Sequence, residues 1–235
     1  MAVTEHLDAT PAAVAAHIAA ALRGALAVRG QASLAVSGGK SPVALFEALR
    51  AQALDWARVH VTLVDERVVP REHPDSNTAL VARHLLQERA AAARFAPFFD
   101  ALPQPCDSQQ ALDALVHSAT ARLAALPWPL DVAVLGMGED AHTASLFPGA
   151  PGYQHAITTS APLAWVLPAQ APTPAAHARI SLSLQALLAA RERVLPLAGA
   201  AKLAVYRRAA RRADPALPVS LVLACTQAPT SVWIG

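Results

Sequence analysis

Short apolar runs alternate with longer Ala-rich stretches of helical period, and this alternation limits the fold more than any other feature of the chain. Strands are expected at 33–36, 59–64, 131–135, 163–167, 194–197 and 219–223, with a last edge strand at 232–234. Helices are expected at 11–28, where Val14, Ile18, Leu22 and Leu26 share one side, and at 78–88, 108–126 and 200–212. Another runs from Ser41, a candidate cap, through Pro42 at its first position to about Ala51. Residues 180–190 start extended and become helical. The segments 68–77, 95–108 and 168–177 are rich in Pro and polar residues and read as loops. Strands alternating with helices imply an α/β chain with a mostly parallel sheet flanked by helices, Rossmann-like in plan. The 235 residues, 54% of them hydrophobic, suffice for one domain over 1–235 with a small additional lobe.

In such sheets ligands gather beyond the carboxyl ends of the strands. Three polar clusters are expected there: Ser37 to Ser41, Asp65 to Arg67, and Gly136 to His142. The first reads Ser37-Gly38-Gly39-Lys40-Ser41. A nucleotide phosphate loop would need a glycine five residues before Gly39, and Leu34 stands there. A serine-hydrolase elbow would place Ala35 in its first glycine position and its nucleophile after the first strand, which is unusual. What remains is a tight turn at a helix start. Two glycines admit an anion close to the backbone, and Lys40 adds charge, which suits a single phosphate group. An ordinary strand-to-helix turn is the competing reading.

Gly136-Met137-Gly138-Glu139-Asp140-Ala141 matches a dinucleotide fingerprint, but no Asp or Glu follows Asp140 before Glu192 to grip a ribose. Nicotinamide cofactors are therefore not expected. Asp140 and His142 instead suggest an acid–base pair, since a carboxylate can orient an imidazole and favour its charged form. A satisfied structural histidine is an equally good reading on the residues alone. Asp65-Glu66-Arg67 follows an apolar strand, where unpaired charge is costly, so Arg67 could hold a carboxylate, phosphate or oxyanion. A solvated charge run is the alternative. Arg179 follows a Pro-rich loop, and Lys202 sits in the first turn of a helix, where a cation opposes the dipole.

Net charge is +2, and Arg207, Arg208, Arg211 and Arg212 have the spacing of a solvated helix face, so no nucleic-acid partner is expected. Cys106 and Cys225 lack metal or redox spacing and are expected as thiols. Metal binding is not expected: there is no HExxH and no dense His/Cys cluster. No uninterrupted apolar stretch has the length of a bilayer span, and Glu5 and Asp8 argue against a signal peptide. A cytoplasmic protein without membrane contact is the expectation.

Five segments together resemble the 6-phosphogluconolactonases, within the wider glucosamine-6-phosphate deaminase-like group of sugar-phosphate enzymes. They are LAVSGGKSPVALFEAL, VTLVDERVVPREHPDSN, VLGMGEDAHTASLFPG, ARISLSLQAL and VLPLAGAAKLAVYRRA, in family order over about 33–223. The resemblance implies the modified Rossmann-like fold of that group. It implies hydrolysis of 6-phospho-D-glucono-1,5-lactone to 6-phospho-D-gluconate, with no metal and no organic cofactor. It makes His142 the base that activates water, Asp140 its neighbour, and Arg67 the group that places the lactone or stabilises charge on it. Gly38, Gly39, Lys40, Arg179 and Lys202 become the phosphate cradle, with Ser37 and Asp65 among the binding residues. The family usually has Gly where this chain has Ala141, so a positive φ there would add strain. The deaminases of the same group carry an acid five residues after the histidine for ring opening. Phe147 occupies that position here, which favours the lactonase. A sugar-phosphate sensor without catalysis is the remaining alternative.

Overall fold

Thr10 opens the first helix by accepting the Ala13 amide at 3.2 Å, with Pro11 in the first turn, and Gly30 closes it at φ +73°. Local signals of this kind organise a computed structural model that describes residues 3–39, 41–102, 108–170 and 175–235. The elements are β1 (Val3–Leu7), α1 (Pro11–Arg29), β2 (Ala32–Val36), α2 (Val43–Arg50), β3 (Val59–Leu63), β4 (Asp65–Arg67) and α3 (Asn77–His84). Then come β5 (Arg94–Phe95), α4 (Gln109–Leu123), β6 (Val132–Val134), α5 (Tyr153–Thr158), β7 (Leu163–Val166) and β8 (Arg179–Leu182). The chain continues through α6 (Leu184–Ala189), β9 (Arg193–Leu197), α7 (Ala200–Ala209), α8 (Pro218–Leu223) and β10 (Thr230–Ile234).

Seven strands form one parallel sheet in the order β1-β10-β9-β6-β2-β3-β5. The central strands β2 and β6 are buried along their whole length, as apolar strands covered on both faces must be. A second, antiparallel sheet, β4-β8-β7, is the small additional unit expected from the sequence. The helical period of α1 turns Val14, Ile18, Leu22 and Leu26 inward against β2, β6 and α2. They join a buried cluster that extends to Val232 and Trp233.

Several expectations need correction. Residues 219–223 form the helix α8, not a strand: a five-residue, mostly apolar run carries no period that separates the two, and Pro218 favours a helix start. The 232–234 strand is β10, and it lies inside the sheet between β1 and β9 rather than at its edge. The edge is β1, whose half-exposed, charged sequence hides its strand character. Ser41 does not cap α2, which begins after Pro42 without a side-chain cap. The helix after the 68–77 loop ends at His84 and is followed by a single 3₁₀ turn at Glu88–Ala92. The short elements β5 and α5 were not expected. Asp65 to Arg67 form a strand of their own. α1 proves long and apolar enough to cross a membrane, yet it carries Arg23 and packs one face into the core. Cys225 is a free, half-buried thiol, and Cys106 lies outside the described residues.

Candidate active site

The ends of β2, β3, β6 and β9 open on one cavity of about 520 Å³. Ser37, Gly38, Gly39, Asp65, Arg67, Asp140, His142, Arg179 and Lys202 all line it. The fold thus brings together every site residue expected from the sequence except Lys40, which lies outside the described residues.

The diglycine turn is shaped by what stands behind it. A Cβ on Gly38 would lie 1.8 Å from Asn77 Oδ1, so only glycine fits against that amide. Gly39 takes φ +93°, a conformation side chains resist. Asn77 donates through Nδ2 to the Asp65 carbonyl at 2.8 Å, while its buried Oδ1 has no partner among the described residues. Glu66 turns away from the cavity. Its carboxylate accepts the amides of Arg67, Asn77 and Thr78 at 2.7, 2.8 and 2.7 Å, two of them at the N-terminus of α3. Burial raises its pKa, and those amide bonds oppose the rise. Glu66 therefore ties β4 to α3 and fixes the loop that carries Arg67.

Arg67 and Arg179 face each other directly in the antiparallel register of β4 and β8. Like charges directly opposite on a sheet repel. The Nε atoms of both are buried without a hydrogen-bond partner among the described residues. Nη1 of Arg67 donates to the Asp75 carbonyl, and Nη2 of Arg179 donates to the Ala176 carbonyl at 3.4 Å. Asp65 partly offsets the charge: its Oδ2 lies 3.7 Å from Arg179 and accepts the Ser145 hydroxyl at 2.5 Å. Burial lowers the Arg179 pKa, partly countered by Asp65. The Asp65, Glu66 and Asp75 carboxylates offset the charge of the two guanidiniums, and Lys202 adds positive charge to the cavity wall.

The other end is built by a turn after β6. The Ala141 amide donates to the Gly138 carbonyl at 3.0 Å, and the Gly138 amide to the His142 carbonyl at 2.9 Å. This folds Asp140 Oδ1 back to 2.6 Å from His142 Nδ1. The bond to His142 holds the Asp140 carboxyl below its usual range, against the opposing effect of burial. A carboxylate only accepts, so Nδ1 carries the proton and Nε2 is the basic nitrogen. Ala141 is buried at φ +69°, a conformation that costs a non-glycine residue roughly 1–2 kcal/mol. The turn nevertheless keeps the Asp–His bond. The Phe147 ring stacks on the imidazole at 4.3 Å and 27°, and its centroid is 6.0 Å from the Arg179 guanidinium carbon. Phe147 thus joins the two ends of the site. Its spacing from His142 marked an absent acid but gave no hint of this stacking.

The family model described as glucosamine-6-phosphate isomerases/6-phosphogluconolactonase matches residues 5–233. A 6-phosphogluconolactonase of Pseudomonas aeruginosa is 47% identical over 196 residues, covering 83% of this chain and 79% of that protein. One of Rhizobium meliloti is 40% identical over 234 residues, covering 99% and 97%. The crystal structure of a 6-phosphogluconolactonase from Shewanella baltica, 38% identical, superposes with a TM-score of 0.88 over 99% of this chain and 98% of that one. With the family model matching residues 5–233 and relatives at 40–47% identity covered over 79–97% of their own length, the chain belongs to the glucosamine-6-phosphate isomerase/6-phosphogluconolactonase family.

Proposed function

We propose that this protein is a 6-phosphogluconolactonase, which hydrolyses 6-phospho-D-glucono-1,5-lactone to 6-phospho-D-gluconate in the oxidative pentose phosphate pathway. The observation that carries the reading is a single cavity with two opposed arginines at one end and a carboxylate-held imidazole at the other. The names of the relatives at 40–47% identity support the same substrate. Arg179, Lys202 and the diglycine turn hold the phosphate, Lys40 joins them by its place in the sequence, and Arg67 places the lactone. Anchoring the phosphate turns an encounter into a positioned reaction.

His142 then takes a proton from water through Nε2 as the water attacks the lactone carbonyl. Asp140 keeps the ring in the tautomer that can do so and steadies the imidazolium that forms. Arg67 or backbone amides stabilise the tetrahedral oxyanion. The imidazolium returns its proton to the ring oxygen as the C–O bond breaks. Phe147, in place of the deaminases' acid, presents a face to the imidazole and no proton donor. A lactone carbonyl is already exposed and needs no ring opening before attack. The reading includes a cytoplasmic enzyme of one domain over 1–235.

The test is acid release from freshly prepared lactone, corrected for spontaneous hydrolysis. His142→Ala is expected to lower kcat by about 10²–10⁴-fold with substrate affinity little changed. Near-normal turnover in the variant would remove His142 from the mechanism. Saturable binding by the wild type with no rate above background would make the protein a sensor.

A further inference from the structure

Two loops beside the cavity bring together three side chains that the proposed reaction does not use. His73 and Asp75 lie between β4 and α3, and His177 lies just before β8. One donor atom from each residue lies within 4.8 Å of the other two. His177 Nε2 is 3.0 Å from Asp75 Oδ2, and His73 Nδ1 is 3.9 Å from the same oxygen. The two imidazoles meet edge to face, with ring centroids 5.1 Å apart. Ligand atoms at ~2.0–2.1 Å from a tetrahedral zinc ion stand about 3.4 Å from one another. The cluster therefore needs only small side-chain adjustments to close on an ion.

An ion pair alone is a weak reason for the arrangement. The Asp75 side chain is 53% exposed, and an exposed pair adds little stability. His177 also takes φ +68°, an uncommon conformation for a residue with a side chain. No local motif announces the cluster, because 102 residues separate Asp75 from His177.

We propose that His73, Asp75 and His177 form a Zn²⁺ site that clasps the two loops together. Two imidazoles and a carboxylate, without thiolate, suit zinc and leave a fourth position for water. His73 Nδ1 accepts the Asp75 amide at 3.1 Å. His73 must release that bond to coordinate through Nδ1, or else use Nε2. The clasp lies next to the supports of both cavity arginines, since Asp75 and Ala176 supply the carbonyls that hold Arg67 and Arg179. It is independent of lactone hydrolysis and of His142.

The full-length protein, stripped with chelator, is titrated with Co²⁺ as a spectroscopic probe and then with Zn²⁺. One equivalent of Co²⁺ is expected to give visible ligand-field absorption, which Zn²⁺ abolishes by displacement. His177→Ala and His73→Ala, on separate loops, are each expected to weaken binding at least about 100-fold, since even outer partners of metal ligands are worth 10–100-fold. Their melting temperatures in chelator report folding independently. His142→Ala is expected to bind as tightly as wild type. No stoichiometric Co²⁺ signal, wild-type affinity in both loop variants, or loss of binding in His142→Ala instead would overturn the site.

Discussion

Gly138 shows how closely the Asp140–His142 pair is fitted. A Cβ there would lie 2.2 Å from His142 Nδ1 and 2.4 Å from Asp140 Oδ1, inside the bond that joins them. Gly138→Ala is therefore expected to lower kcat by roughly 10²-fold or more, the range of a lost general base, while the protein still folds. Gly136 is the internal control. Its added Cβ would meet Ser37 Oγ at 3.5 Å, an ordinary contact, so Gly136→Ala is expected to keep turnover within a few-fold. Steady-state kinetics and melting curves on both variants check the contrast, and equal losses would refute it.

Among the elements, the β4–β8 pair carries the clearest functional signature. Its register sets Arg67 against Arg179 at a cost that an anion between them would relieve. A hydrogen bond to a charged group is worth about 1.5–3 kcal/mol, or roughly ten- to a hundredfold in affinity. Arg179→Met is expected to raise KM by that factor and to change kcat much less; an unchanged KM would take Arg179 out of the cradle. Each arginine was visible in the sequence, Arg67 as charge after an apolar strand and Arg179 as a cation following a Pro-rich loop. Their pairing was not, since β4 has only three residues and its partner lies over a hundred positions away. The diglycine turn and the Asp140–His142 turn were legible because their geometry is local. For the same reason α1 and α4 were found, and Ser108 at the start of the latter proves to be its cap. The apolar run of α8 was misread and the charged edge strand β1 was missed, because burial and pairing rather than pattern decide them. The His73–Asp75–His177 cluster escaped because it exists only after folding.

Across the molecule, the large sheet supplies the imidazole and the diglycine turn, while the small sheet supplies both arginines. A bound sugar phosphate would therefore join two sheets. The product, 6-phosphogluconate, at 100 times its Kd is expected to stabilise the fold by about 2.7 kcal/mol, a rise in Tm of roughly 5–10 °C. His142→Ala is expected to retain most of that rise and Arg179→Met to lose most of it. Thermal melts with and without the product read the difference, and an equal rise in both variants would mean that Arg179 does not hold the phosphate.

The interior place of β10 has a further consequence. Val3 pairs with Thr230, so the opening segment of the polypeptide finds its neighbour only near the far terminus. During translation β1 must wait, unpaired, until the ribosome has delivered Ile234. Sheet closure is consequently a late event, governed by the slow meeting of distant segments rather than by local helix formation.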